Sequence, residues 1–281
     1  MSRQGLRQGR RKGPAIVVNT LLVIGALLTA FPLLWMLSVS FMPTGAASAY
    51  PPPLLPQSPT LDNYRELFAN HNAGRYMLNS AVIATLATII ALVLNTMAGY
   101  AFAKLRFKGR ERIFQGLLGA LVIPGQVTMI PLFALVKEMG LISTYGGVIV
   151  PAMASVFGIF LIRQYALSLP DELLEAARID GASESRIFWS LVVPLLQPIL
   201  VTLAILTFLA TWNDFMWPLI VLTDQELHTL PVALAGLSRE HVQDNELMMA
   251  GAVITVVPVL ALFLALQRYY IAGILAGGVK G

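Results

Sequence analysis

Six stretches of this chain, residues 14–41, 79–103, 113–136, 144–165, 195–222 and 247–267, are predominantly apolar, and each reaches the ~20 residues that a helix needs to cross a hydrocarbon core. Lipid offers no partner to a bare peptide group, so a segment inside it must close its own backbone hydrogen bonds, which a helix does. The expected fold class is therefore an all-α integral membrane protein with six transmembrane helices. A share of 57% hydrophobic against 12% charged residues leaves little sequence for a soluble domain. The first run follows Arg10-Arg11-Lys12 as the core of a signal peptide would. It is longer than such a core, and no small-x-small cleavage site closes it, so it reads as a span.

Short loops rich in Lys and Arg stay on the cytoplasmic side. The N-terminal segment 1–13 carries Arg3, Arg7, Arg10, Arg11 and Lys12, and the loop after the second span carries Lys104, Arg106, Lys108, Arg110 and Arg112. Both are expected in the cytoplasm. The zigzag then places the loop 166–194, with Arg178 and Arg186, and the tail 268–281 there as well, so both termini are cytoplasmic. The connector 42–78 and the loop 223–246 fall outside. The basic isoelectric point, about 9.5, follows from this orientation and gives no reason to expect nucleic acid as a partner. With no Cys in the chain there is no disulfide or thiolate metal site; His71, His228 and His241 lack metal-site spacing, so no metal is expected. No internal repeat or low-complexity segment is present. Pro43, Pro51, Pro52, Pro53, Pro56 and Pro59 make 42–78 read as an extended connector, within which Leu61, Tyr64, Leu67 and Phe68 have the spacing of a short interfacial helix.

Between the fourth and fifth spans lies a polar island of small residues, Glu175-Ala176-Ala177-Arg178-Ile179-Asp180-Gly181-Ala182. Pro170 suits the first turn of a helix whose positive end Asp171 and Glu172 complement, with Leu173, Leu174 and Ala177 as its apolar face. The helix should run to about Ile179, end at Gly181 in a left-handed conformation, and be followed by a second one capped by Asp180 or Ser183. Small side chains at Ala176, Ala177, Gly181 and Ala182 permit close approach, and Glu175, Arg178 and Asp180 supply charged contacts around them. Such a helix fits a groove on another protein; a polar loop with one helical turn is the plainer alternative.

The full spacing of Ser168-Leu169-Pro170-Asp171-Glu172, the island, Phe188, Pro194 and Pro198 resembles the EAA loop of permease subunits from binding-protein-dependent ABC importers. Leu191 and Val193 stand where that pattern commonly has Ile and Leu, an apolar exchange. Asn95-Thr96-Met97-Ala98-Gly99-Tyr100, Trp212-Asn213-Asp214-Phe215-Met216-Trp217-Pro218, Thr229-Leu230-Pro231 and the ending Ala276-Gly277-Gly278-Val279-Lys280-Gly281 are similar to the maltose-transporter type, most of all its smaller six-helix subunit. The resemblance implies an importer of sugars or oligosaccharides in the cytoplasmic membrane of a bacterium or archaeon. Its parts are this chain, a second permease subunit, two copies of a cytoplasmic ATPase that uses ATP and magnesium, and an extracytoplasmic solute-binding protein. It further implies that Glu175, Ala176, Ala177, Arg178, Asp180, Gly181 and Ala182 form a coupling helix on the ATPase, that the tail with Gly277, Gly278 and Lys280 also contacts the ATPase pair, and that His228, Thr229, Leu230 and Pro231 reach toward the binding protein. No Gly-x-x-x-x-Gly-Lys-Ser/Thr phosphate loop occurs here, so the chain is expected to be a transport subunit rather than an enzyme and to bind no cofactor itself.

Polar groups kept inside spans usually face a cavity or a partner. Asp214, with Trp212, Asn213, Phe215 and Trp217, offers rings to stack on a sugar and groups to bind its hydroxyls; a helix cap beside Pro218 and an interfacial aromatic belt are the competing readings. Asn95 and Thr96 either line a pathway or bond between helices. Pro124, Pro131 and Pro151 permit kinks. An ion-coupled secondary transporter would keep several intramembrane ionisable groups, and a membrane enzyme would cluster catalytic ones. Neither pattern is present, whereas an ABC permease for glycerol phosphate or polyols remains an alternative.

Overall fold

Prolines and glycines decide where each apolar run stops being one helix. The computed structural model describes residues 12–240 and 244–278, with side chains at 17–237, 244–265 and 267. All regular structure among them is helical. In chain order the helices are α1 (Lys12–Ser40), α2 (Asp62–Ala69), α3 (Ala73–Lys104), α4 (Arg110–Ala120), α5 (Gly125–Glu138), α6 (Tyr145–Ala152), α7 (Val156–Leu167), α8 (Asp171–Ile179) and α9 (Glu184–Ile187). A π-helical turn, Phe188–Val192, leads to α10 (Val193–Leu195), α11 (Gln197–Trp212), α12 (Met216–Val221), α13 (Leu230–Glu240) and α14 (Asn245–Gly278).

Four stretches are long and apolar enough to cross a membrane: Val17–Ser40, Ala73–Lys104, Tyr145–Leu167, which joins α6 to α7, and Asn245–Ala265. Two more are bent pairs: Arg110–Ala120 with Gly125–Glu138 turns by 106°, and Glu184–Leu195 with Gln197–Trp212 turns by 78°. The expected spans 113–136 and 195–222 are thus not continuous helices. Pro124 caps α5 in an extended conformation, and a proline keeps its predecessor out of the helical region. A proline ring also collides with the carbonyl four residues back. From Pro198 that carbonyl belongs to Pro194, next to the break at Leu196; from Pro218 it belongs to Asp214, at the break between α11 and α12. Two segments expected to lie beyond the spans, as an outer loop and a tail, also hold helix. Residues 268–278 continue α14, and the loop 223–246 contains α13. Lys280 lies outside the described residues.

The described residues divide into two units. One takes in the chain up to Leu67 together with the stretch ending at Val253. In it the proline-rich connector is tied down: Asn63, on α2, donates to the carbonyls of Ser40 at 3.0 Å and Met42 at 2.8 Å, and the Thr60 amide donates to the Phe41 carbonyl. The helix expected from Leu61, Tyr64, Leu67 and Phe68 is present, but it buries Asn63 and Leu67 while Leu61 and Phe68 stay open. A carboxylate oxygen of Glu246, which is fully buried, accepts from the Ala47 amide at 2.6 Å.

The second unit, Phe68–Glu240 and the chain from Ile254, is organised around α3, which packs most extensively on α7 and α11. Its buried positions Ser80, Ala84, Ala87, Ala91, Asn95, Gly99 and Ala103 recur every three or four residues and form one small-residue seam. In lipid, helix association rests on such close packing rather than on the hydrophobic effect. At Gly99 the seam is tightest: a Cβ there would lie 2.6 Å from Ile162 Cβ on α7. Near the Lys104 end of α3, Tyr100 and Ala103 join Ile162, Leu174, Ile187 and Leu196 in one apolar cluster; near the Ala73 end, Ile83 and Ala87 join Val136, Val148, Trp217 and Val221 in another.

Candidate functional site

The island stands on the first of these clusters. Pro170 occupies the N-cap, one position ahead of the first turn in which the sequence places it, while Asp171 and Glu172 fill that turn and α8 ends at Ile179 as the sequence predicts. The amides of Asp180, Gly181 and Ala182 then donate to the carbonyls of Ala176, Arg178 and Ala177 at 3.0 Å each. Gly181 adopts φ +78°, a conformation that costs an ordinary L-residue about 1–2 kcal/mol. Of the two expected caps it is Ser183 that serves α9, its hydroxyl accepting from the Arg186 amide at 3.3 Å.

Leu174 is the buried anchor of α8. Glu175, Ala176, Arg178, Asp180 and Gly181 are exposed, with Ala177 and Ala182 half-buried. Leu173, expected on the apolar face, is open, and Ile179, at the end of the helix, is 86% exposed. The signal for Ile179 was its spacing of three from Ala176 and four from Glu175, which puts all three on one helix face. The open surface is therefore an apolar and small-residue patch edged by charge.

Two ion pairs fix this surface to the rest of the unit. Arg178 Nε donates to Glu184 Oε1 at 2.6 Å, joining α8 to α9; the hydrogen bond holds the Glu184 carboxyl below its ordinary value and the Arg178 guanidinium above its own. Lys104, the last residue of α3, donates from Nζ to the Leu169 carbonyl and to Asp171 Oδ1, both at 2.6 Å. Its side chain is only 6% exposed, and its hydrogen bond lowers the Asp171 pKa. Sequence reasoning used Lys104 for orientation alone. A charged hydrogen bond to a carbonyl contributes about 1.5–3 kcal/mol. Lys104→Met, which keeps the stem, is expected to raise amide hydrogen exchange across 171–179 by about tenfold, the equivalent of ~1.4 kcal/mol, and Lys104→Arg to restore most of the protection. Unchanged exchange in Lys104→Met would show that the tie does not hold α8.

The residues proposed for a pathway divide. Asn95 is fully buried and its Oδ1 accepts from the Ser155 amide at 3.0 Å, at the break between α6 and α7. The Thr96 hydroxyl bonds back to the Leu92 carbonyl on its own helix. Trp212 and Trp217 are buried, their indole N–H groups donating to the carbonyls of Thr255 at 3.2 Å and Gly147 at 3.0 Å. Asn213 is exposed, and Asp214 and Phe215 are half-buried. The three sit at the break between α11 and α12, where Asp214 Oδ1 lies 3.4 Å from the Trp217 amide that it caps.

Near the Ala73 end of α3, Asn79 donates to the carbonyls of Glu226 and His228 at 2.9 Å each and accepts from the Tyr145 hydroxyl at 2.6 Å. Arg75 pairs with Glu226 at 2.8 Å, and the Leu230 amide donates to Ser80 Oγ. Thr229 and Leu230 are consequently buried, while His228 and Pro231 remain half-buried at the start of α13. A cavity of about 370 Å³ opens here, with Tyr76, Phe215, Gln225 and His228 among its walls. Asn79 and Ser80 were not singled out in the sequence, where nothing separates them from other polar residues near a span end. Gly277 and Gly278 are the last residues of α14. Among the described residues no three His, Asp or Glu side chains gather as a metal site would require.

Over residues 95–275 the sequence matches the family described as binding-protein-dependent transport system inner membrane component. It is 41% identical to the arabinooligosaccharides transport system permease protein AraQ of Halalkalibacterium halodurans, over 94% of this chain and 98% of that one. It is 32% identical to the lactose transport system permease protein LacG of Rhizobium radiobacter, over 96% and 98%, and 32% identical to the sn-glycerol-3-phosphate transport system permease protein UgpE of Salmonella typhi, over 94% and 97%. Its fold is similar to a chain in the crystal structure of a bacterial ABC transporter involved in the import of the acidic polysaccharide alginate, with a TM-score of 0.82 at 24% identity over 96% of this chain and 100% of that one.

Proposed function

Since this chain belongs to the inner membrane components of binding-protein-dependent transport systems, we propose that it is the permease subunit of an ATP-driven importer of sugars or oligosaccharides. The observation that carries the substrate class is the near full-length likeness to permeases named for arabinooligosaccharides and lactose. The glycerol 3-phosphate permease, at 32% identity, defines the alternative. The chain pairs with a second permease subunit, takes sugar from an extracytoplasmic solute-binding protein, and is driven by two copies of an ATPase that holds the ATP and magnesium. Loops 104–112 and 166–194 and both termini face the cytoplasm, which the distribution of Lys and Arg supports.

In this reading the exposed patch of α8, from Leu173 and Glu175 through Ala176 and Ile179 to Gly181, is the coupling surface. An amphipathic short helix with small residues at its crest fits a groove on a globular partner. Lys104 and the Arg178–Glu184 pair make the surface continuous with α3 and α9, so a push on α8 reaches a span instead of a slack loop. Asn213, Asp214 and Phe215 are the members of the aromatic constellation left to face the pathway, since Trp212 and Trp217 are buried. His228, Thr229, Leu230 and Pro231 support the binding-protein contact as the root of α13, and Gly277, Gly278 and Lys280 a second ATPase contact.

The test is ATPase activity of the co-purified complex in lipid, with candidate binding proteins loaded with arabinooligosaccharides, other oligosaccharides or glycerol 3-phosphate. Stimulation of severalfold or more by one sugar-loaded binding protein is expected. Stimulation by glycerol 3-phosphate alone would move the substrate class, and absence of any co-purifying ATPase would overturn the importer itself.

A further inference from the structure

Beyond the transport function, the loop joining α3 to α4 has the features of a binding site for phosphate on an anionic phospholipid headgroup. Three guanidiniums, those of Arg106, Arg110 and Arg112, line one cavity of about 580 Å³ with Phe107. One carboxylate, Glu111, shares its wall, and Arg163 engages that group at 3.1 Å. Positive charge around the cavity is therefore in excess.

The loop is built rather than slack. Arg110 Nη1 donates to the Leu105 carbonyl at 3.0 Å and closes the loop on itself. Gly109 turns the chain at φ +82°, so that residues on both sides of it share one rim. The rings of Phe102, Phe107 and Phe114 form a chain at centroid distances of 5.7 and 5.5 Å, and Arg163 stacks on Phe114 at 4.0 Å. Arg106 and Arg112 remain exposed. An ordinary polar loop at the end of a span needs no such aromatic footing.

Two further observations select a lipid over a protein surface as the occupant. The cavity lies between the last turn of α3 and the first turn of α4, at the end of two stretches long and apolar enough to cross a membrane. Its cations are also interleaved with apolar side chains left open, Phe107 at 41% and Ile113 at 51% exposure. A phosphate with acyl chains attached satisfies both sets at once, because basic residues beside a span attract anionic headgroups and apolar neighbours accept the chain beneath. We propose that Arg106, Arg110 and Arg112 hold the phosphate of an anionic phospholipid, with Phe107 and Ile113 against its acyl region.

The experiment is native mass spectrometry of the complex released from membranes of phosphatidylglycerol and phosphatidylcholine, comparing the wild type with Arg106→Gln/Arg112→Gln. Arg110 is left in place because it closes the loop. Retention of phosphatidylglycerol over phosphatidylcholine is expected in the wild type. Each guanidinium near the surface contributes about fivefold in affinity, so the double variant should lose retention by about 25-fold, and Arg106→Lys/Arg112→Lys should keep most of it. Competition by millimolar inorganic phosphate as effective as that by phosphatidylglycerol micelles would reassign the site to a free anion. Equal retention of both lipids, or a double variant that keeps its lipid but loses the ATPase subunit, would overturn the proposal, the latter in favour of a protein contact.

Discussion

Replacing Glu175 with Lys, or Gly181 with Asp, should leave the chain folded and in the membrane while uptake falls more than tenfold and the ATPase subunit no longer co-purifies. The expectation rests on what these positions do not touch. A Cβ at Gly181 meets no atom within 4 Å, so an added carboxylate clashes with nothing in its own unit. The remaining internal cost is the left-handed backbone, about 1–2 kcal/mol, and Asp tolerates that region better than most residues. Glu175 is likewise exposed, and reversing its charge disturbs only its through-space attraction to the neighbouring Arg178, whose hydrogen bond to Glu184 stays in place. A loss of more than tenfold would then come from outside: a crest that no longer fits its groove, or a charge turned against its partner. Gly181→Ala separates the two costs, since it carries the backbone strain without bulk or charge, and should reduce uptake only slightly. If both Glu175→Lys and Gly181→Asp kept uptake and co-purification within twofold of wild type, α8 would not be the coupling surface.

At Gly99 the opposite outcome is expected: Gly99→Val should abolish the folded chain. Its Cβ would sit 2.6 Å from both Cβ and Cγ2 of Ile162 and 3.0 Å from the Arg163 amide nitrogen, and Ile162 is fully buried. The clash involves side-chain roots and backbone, so no rotamer change relieves it. The helices α3 and α7 must separate, and Arg163 then leaves its place over Phe114. Overpacking in a close-fitted core costs roughly 1–3 kcal/mol even where the neighbours can adjust; here they cannot, and the cost should exceed that range. The monodisperse peak of the purified protein on size exclusion should disappear. Gly99→Ala combined with Ile162→Ala should restore it in part, because the second substitution removes the atoms that the first would meet. A normal elution profile for Gly99→Val would mean that α3 and α7 are not in close contact.

How far the sequence could be read depended on whether its signals were local. Helix α8 was legible almost to the residue, because Pro170, Asp171 and Gly181 act through their own backbone and that of their neighbours. The broken spans were not. Summed hydropathy is the same for a straight helix and for two halves at an angle, and what decides is whether the carbonyl freed by Pro198 or Pro218 finds another partner. Pro218 did announce the break at Asp214. Helix α13 carried a usable signal in Leu230, Leu234 and Leu237, spaced as one face, with Pro231 at its start, but its charged and polar content read as loop. Asn63, Asn79 and Lys104 were invisible as organising residues. Their importance lies in carbonyls 21 or more positions away in sequence, and no periodicity records that.

The burial of the individual spans also sets an order on biosynthesis. Only 6% of the most apolar window of α1 is buried, against 39% for α3, so α1 can rest in lipid as soon as it is made. Helix α3 waits for a partner. The carboxamide of Asn95 has its partner 60 residues later, at Ser155, and a ribosome adding 5–20 residues per second needs roughly 3 to 12 seconds to deliver it. During that interval the Asn95 side-chain oxygen lacks this partner, which hydrocarbon penalises. The second span therefore reaches its full stability in the bilayer only when α7 arrives beside it, however early it enters.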